Sequence, residues 1–159
     1  MILYHGSTEN IDRPAVLPSA SGRDFGAGFY CTNIKNQAEK WALRQARIRK
    51  KNAVLNIYDF DEAALQKLNC KIFGDYALEW LEMIISCRKN FSYIHGYDIV
   101  YGKIANDDVG ETVQAVISGL TPPDYALKKL AFMQANNQYC FCTQRSLAFI
   151  KHIKSVKTD

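Results

Sequence analysis

Apolar and polar positions along the chain follow two periods, and each stretch of constant period predicts one element. Ile2-Leu3-Tyr4 is a short apolar strand. A turn-rich segment from Gly6 to Gly28 follows, with Pro14, Pro18, Ser19, Ser21 and Gly22, and a long ordered loop of this kind is usually functional. Phe29-Tyr30-Cys31 reads as a strand end, and from about Asn33 the spacing Ile34, Ala38, Trp41, Ala42, Gln45, Ile48 predicts one face of an amphipathic helix. Ala53 to Tyr58 is a strand, a short helix starts at Asp61, and a longer one starts at Asp75 with Leu78, Leu81, Ile84 and Ile85 inward. Asp98 to Ile104 is another strand. Asp107 can cap a helix through Val113 and Ile117, and Thr121 before Pro122 reads as an N-cap followed by proline in the first turn. Gln138 to Cys142 has strand character, Thr143 caps a short helix, and Phe149 to Val156 forms a last strand. This mixed order predicts an α+β fold rather than a regular β-α-β winding.

With 159 residues and no repeat, low-complexity tract or linker, residues 1–159 read as a single domain. A chain of this size buries roughly 68–70% of its unfolded surface. Apolar residues make up 48% and charged residues 23%, the balance of a soluble protein. The absence of a long apolar run or a signal-type N-terminus leads to the expectation of a cytoplasmic protein without a membrane partner. Five cysteines, none in a C-x-x-C pair or at zinc spacing, read as reduced and mostly buried thiols, so no metal is expected. The net charge of +4 favours an anionic ligand but is too small to identify nucleic acid. The basic face from Lys40 to Lys51 is read as a solvated helix face, with ligand phosphates, nucleic acid or an acidic partner as alternatives.

Three local patterns carry candidate chemistry. In Tyr4-His5-Gly6-Ser7 the glycine allows close approach to the backbone, and the histidine offers a ring nitrogen to a sugar hydroxyl; alone it reads as a solvent-facing histidine at a strand end. In Asp24-Phe25-Gly26-Ala27-Gly28-Phe29-Tyr30 two glycines precede a tyrosine, which alone reads as a turn before a core residue. The third is Asn137-Gln138-Tyr139-Cys140-Phe141, with Leu147 and Ile150 beyond. His95 and His152 are scattered, and no phosphate-loop lysine or Ser/His/Asp order is present.

Taken together, Leu3 to Ser7 and Phe25 to Tyr30 resemble the NAD-binding half of the diphtheria-toxin-like, or poly-ADP-ribose-polymerase-like, group of the ADP-ribosyltransferase-like superfamily. That group carries a His, Tyr, Glu signature. The third pattern resembles its glutamate strand, with Gln138 in the glutamate position, giving a His-Tyr-Gln variant. The resemblance covers about residues 1–45 and 134–156. Asp98 to Gly102 adds an Asp-Ile-Val-x-Gly segment similar to that of a little-characterised bacterial family of the same fold.

The resemblance implies an ADP-ribosyltransferase-like fold of split antiparallel sheets with peripheral helices, and NAD as substrate. His5, Tyr30 and Gln138 would be the catalytic residues, with His5, Gly6, Ser7, Gly28, Tyr30 and Trp41 binding NAD. His5 would hold the adenosine ribose, the Gly6 backbone the carboxamide, and Tyr30 would stack on the cationic nicotinamide for about 0.5–2 kcal/mol. Trp41 would close the other side or serve as the largest residue of a buried helix face. The oxocarbenium-like transition state favours a nearby carboxylate. An amide at Gln138 lacks that charge, with a rate penalty of about 10²–10³ unless Asp107, Asp108 or Glu111 substitutes. The implied activity is mono-ADP-ribosyl transfer to a protein or nucleic-acid acceptor, in a toxin with a small antitoxin partner. NAD glycohydrolysis, or non-catalytic binding of NAD, ADP-ribose or a partner chain, are the alternatives.

Overall fold

The computed structural model describes residues 1–18, 22–105, 107–132 and 136–158, without the Asp107 side chain. The expected Asp107 cap, Ser19 and Ser21 therefore lie outside the described residues. Thirteen elements follow one another: β1 (Ile2–Ser7), β2 (Phe29–Cys31), α1 (Lys35–Arg49), β3 (Ala53–Phe60), α2 (Ala64–Lys67), β4 (Cys70–Ile72), α3 (Leu78–Lys89), β5 (Ile99–Lys103), α4 (Asp107–Ile117), α5 (Pro123–Leu130), β6 (Asn137–Phe141), α6 (Gln144–Leu147) and β7 (Ile150–Thr158).

The fold is α+β, with one sheet in the order β1-β3-β7 and another in the order β2-β6-β5-β4. The first sheet is antiparallel throughout. The second departs from the expected antiparallel pattern because β4, a three-residue strand the apolar pattern did not mark, runs parallel to β5. Strand alternation gives each sheet two distinct faces. Leu3, Phe29, Tyr58, Phe60, Ile99, Tyr139 and Phe141 come from both sheets and pack into one apolar cluster between them. On the far face of the second sheet, Val100 and Cys140 pack with Trp80, Leu81 and Ile84 of α3, Val113 of α4 and Leu130 of α5.

On the far face of the first sheet lies α1, which buries Ala38, Ala42 and Ala46. Gly6 explains that stripe of small residues: a Cβ there would stand 2.1 Å from the Ala38 carbonyl oxygen and 2.8 Å from the Ala42 nitrogen. The contact is so close that wide side chains cannot enter it. Trp41 and Ile48, expected inward, are accordingly 50% and 67% exposed.

Other expectations shift by a residue or a turn. β1 continues through Ser7 because Gly6 and Ser7 pair with Leu55 and Val54 of β3. α3 begins at Leu78 rather than Asp75; Leu78 is exposed and Ile85 half-buried, while Trp80 is fully buried and donates its indole N–H to the Lys103 carbonyl at 3.0 Å. The cap of α5 is Pro122 with Pro123 at the first helical position, so Thr121 is not the cap. Thr143 occupies the cap position of α6, but its hydroxyl donates to Asp98 at 2.7 Å instead of capping the helix.

Candidate functional site

The two sheets meet at a seam between β1 and β2. Tyr4 and Thr32 exchange both backbone hydrogen bonds, at 2.8 and 2.9 Å, in an isolated antiparallel bridge. In a strand the N–H and C=O of successive residues point to alternate edges. Gly6 therefore turns its backbone groups to the same edge as Tyr4, and Tyr30 turns its own to the same edge as Thr32. Running on from the bridge, Gly6 and Tyr30 come to face each other, and there the ladder is replaced by a side chain. The His5 Nδ1 donates to the Tyr30 carbonyl at 2.6 Å, while its ring stacks on Phe29 with centroids 4.6 Å apart.

That hydrogen bond fixes the histidine's chemistry. A carbonyl only accepts, so Nδ1 carries the hydrogen and, in the neutral ring, Nε2 is left as an acceptor. Burial lowers the His5 pKa, with the Tyr30 carbonyl opposing and Arg23 adding to the fall, so the ring stays neutral at pH 7. The solvent-facing reading of His5 thus gives way to a half-buried wedge between sheets.

Tyr30 and Gln138 lie on the other face of the second sheet. Tyr30 stands opposite Cys140 in the β2–β6 register, and Gln138 is two residues before Cys140 on the same face. The Tyr30 hydroxyl donates to the Gly26 carbonyl at 2.7 Å and accepts the Phe25 N–H at 3.2 Å, pinning the glycine loop. Burial raises its pKa well above the ordinary value. The Arg23 guanidinium sits 5.5 Å from the centre of the Tyr30 ring, so this ring face already receives a cation.

Gln138 donates from Nε2 to Asp24 Oδ2 at 3.1 Å. A carboxylate accepts only, which orients the amide with Oε1 turned away from Asp24. Asp24, 8% exposed, also takes the Ala105 N–H on Oδ2 at 2.9 Å and Arg88 Nε and Nη2 on Oδ1 at 3.1 and 2.6 Å. Asp24 and Arg88 escaped the reading of the chain because they are 64 positions apart, although a buried aspartate always demands a donor set. Asp108 and Glu111, named as substitute acids, lie on α4, and no contact brings them to Gln138 among the described residues.

The remaining expected residues are placed as follows. Ser7 accepts the Glu9 N–H at 3.3 Å and stands in a row with Val54 and Lys157 across the first sheet. A cavity of about 510 Å³ opens beside this row, lined by Thr8, Glu9, Asn10, Lys51, Asn52, Val54, Ser155 and Lys157. It begins where Ser7 ends and does not include His5, Tyr30 or Gln138. Gly28 commits its N–H to Leu17 and its C=O to Arg23, and a Cβ there would fall 2.3 Å from Cys140 Sγ; its role is to let β2 and β6 close. The Trp41 ring holds the Arg44 guanidinium at 5.9 Å on the outer side of α1 rather than meeting Tyr30. Asp98 is a structural clamp: it is 1% exposed and receives Arg145, Thr143 and the Asn69 N–H, and Arg145 above all holds its carboxyl down at about 2. No cluster of metal-ligating side chains occurs among the described residues, nor a helix long and apolar enough to cross a membrane.

The class defined by this fold and site is therefore an α+β protein of two packed sheets, split at a seam that carries a neutral histidine and a buried Asp–Arg–Gln network. Residues 1–152 match the family described as Protein of unknown function (DUF3990), and the chain belongs to that family. Comparison with curated proteins gives no match.

Proposed function

We propose that the seam between β1 and β2 binds NAD and that the chain is a mono-ADP-ribosyltransferase of ADP-ribosyltransferase-like fold, acting as the toxin of a toxin–antitoxin pair in the cytoplasm. The observation that carries the reading is the break in the ladder after the Tyr4–Thr32 bridge. By strand alternation the buried Gly6 turns its backbone N–H and C=O to the edge opposite Tyr30, a matched pair for a carboxamide, and the neutral His5 Nε2 would accept from a ribose hydroxyl. Each such neutral bond contributes about 0.5–1.5 kcal/mol net, enough to set a pose. The Tyr30 ring lies on the opposite face of the second sheet from His5 and already holds the Arg23 guanidinium, so it would meet the cationic nicotinamide only with Arg23 displaced.

One feature favours a second reading, a domain that binds NAD or ADP-ribose without turning it over. The carboxylate beside Gln138 is Asp24, and its charge is already matched by Arg88, so little negative charge remains for an oxocarbenium-like ribose. Calorimetric titration with NAD and ADP-ribose, run beside incubation with labelled NAD and cell lysate, separates the two. Transfer gives a labelled macromolecule, glycohydrolysis gives free ADP-ribose, and the binding reading gives heat without either product. His5→Ala is expected to weaken binding at least about twofold, the lower end of one lost hydrogen bond. Absence of any heat with folded wild-type protein would remove NAD as the ligand.

A further inference from the structure

We propose that Cys142 is a hydroperoxide-reactive cysteine that closes a reversible disulfide with Cys140. The inference stands apart from NAD and rests on a thiol cluster the proposed function does not use.

Three thiols converge behind the Tyr30 face. Cys140 and Cys142 are two residues apart on extended backbone, so their side chains share a face, and their sulfurs lie 3.4 Å apart. Cys87, from α3, stands beside the same loop, with its sulfur 3.7 Å from where a Gly26 Cβ would be. Cys140 is fully buried, while Cys142 is partly open to solvent. His95 is held in place around them: its Nδ1 accepts the Tyr97 N–H at 3.1 Å, its Nε2 donates to the Phe25 carbonyl at 3.1 Å, and its ring stacks on Tyr97.

The electrostatics separate the two neighbouring sulfurs. The Cys142 thiol is held below its ordinary value, first by the hydrogen bond with Cys140, against the effect of burial, and then by His95 and the Val100 backbone. Burial pushes the Cys140 thiol up well beyond the ordinary range. For His95 burial works against the charged ring, but the Cys142 sulfur and the Phe25 carbonyl outweigh it. The ionisable groups coupled to Cys142 are Tyr30, Cys70, Cys87, His95 and Cys140. A partly exposed thiol with a second thiol 3.4 Å away is the arrangement that reacts with peroxide and then resolves.

The steps balance. The Cys142 thiolate attacks one peroxide oxygen, the O–O bond breaks, and hydroxide leaves and takes a proton as water, giving the sulfenic acid. The Cys140 sulfur then attacks the Cys142 sulfur, an S–S bond forms, and hydroxide leaves with the Cys140 proton as a second water. Two thiols lose two electrons and two hydrogens, and the peroxide is reduced to two waters. Two extended residues span about 6.4–6.8 Å between Cα atoms, the upper end of what a disulfide tolerates, so a thiol reductant reopens the bond readily. Closing it draws Cys140 out of its slot under Gly28 and opposite Tyr30.

The reduced full-length protein is treated with equimolar hydrogen peroxide, capped with N-ethylmaleimide and digested with trypsin. The peptide Leu130–Arg145 contains Cys140 and Cys142 and no other cysteine. It is expected two hydrogens lighter and uncapped, and dithiothreitol restores both thiols, while the peptides of Cys31, Cys70 and Cys87 stay capped. In Cys140→Ser, oxidation is expected to stop at a sulfenic acid on Cys142 that dimedone traps, with the thermal melt confirming the fold. Alkylation of Cys142 against pH is expected to reach half its maximal rate below the ordinary thiol value of about 8.5, and to shift upward in His95→Gln. Two capped thiols in the Leu130–Arg145 peptide, or oxidation spread evenly over all five cysteines, would overturn the proposal. So would a dimedone adduct on Cys87 in Cys140→Ser.

Discussion

Replacing Gln138 by Glu tests whether Asp24 truly dictates an amide at this position. The substitution exchanges a donor 3.1 Å from Asp24 Oδ2 for a second carboxylate. At an effective dielectric of 20, two charges at that separation repel by about 5 kcal/mol, an upper bound because Arg88 is already paired with Asp24. The group need not bear that cost, because it can take up a proton, and holding a carboxyl protonated at pH 7 against an unfolded value near 4.3 costs about 3.7 kcal/mol. The smaller figure sets the ceiling, so the variant loses up to about 3–4 kcal/mol at pH 7 and up to about 1 kcal/mol at pH 5 by the same arithmetic. For a domain of this size each kcal/mol moves Tm by about 2–4 °C, giving a fall of about 7–15 °C at pH 7 against about 2–4 °C at pH 5. The sign follows from linkage. The introduced carboxyl has a raised folded pKa, so the penalty is absent below the unfolded value, opens as pH rises above it, and stops growing near pH 8 where the repulsion itself becomes the limit. Melts of wild type and variant at pH 5, 6, 7 and 8 measure the gap. Gln138→Met, which loses the hydrogen bond without adding charge, should show a gap of about 1–3 kcal/mol that does not vary with pH. A Gln138→Glu gap that is equal at pH 5 and pH 8 would refute the reasoning, as would wild-type stability at pH 7.

Gly6→Ala is expected to cost about 3 kcal/mol or more, because the atoms its Cβ meets are helix backbone and cannot rotate away; urea unfolding should show it, with Gly74→Ala, which meets nothing within 4 Å, near neutral. Asp98→Ala is expected to cost about 1–3 kcal/mol at pH 7 by orphaning the Asn69 N–H and the Thr143 hydroxyl. Because Arg145 lowers the folded pKa of Asp98, its contribution is present above about pH 4 and fades as pH falls through about 2, so the gap in urea midpoint should narrow over that window.

Most elements could be read from periodicity because each buries one face against a single partner layer. β3 and β6 are mostly apolar, interrupted by Asn56 and Asp59 in β3 and opened by Asn137 and Gln138 in β6, and the structure buries six of the eight residues of β3 and four of the five of β6. The reading failed where a neighbour, rather than the element itself, set the pattern. α1 shows Trp41 and Ile48 at core spacing, yet Gly6 beneath it admits only alanines, a fact about β1. β4 has three residues, too few to show a period, and exists by pairing with β5. The His5, Gly6 and Tyr30 part of the site was legible because its residues are grouped in two short motifs. Asp24 was in plain view inside one of those motifs, but its meaning depends on Arg88 and Ala105, and no local pattern joins them.

That network also bears on what the site can do. Asp24 offers about four lone-pair positions, and four donors occupy them: two from Arg88 on Oδ1, then Ala105 and Gln138 on Oδ2. Nothing of this carboxylate remains for a substrate unless a bond is broken. The polar atom the network leaves over is Gln138 Oε1, turned away from Asp24 because Nε2 is committed, a hydrogen-bond acceptor without a full charge. Under the proposed NAD reading, a site built this way would position a ribose more effectively than it would stabilise a cation on it. Turnover, where it occurs, then draws on the lability of the nicotinamide bond and on pose. Arg88→Gln separates these contributions. Freeing the Asp24 charge raises the rate of NAD cleavage if charge is limiting, and leaves it unchanged or lower if the network serves only to hold Gln138 in place.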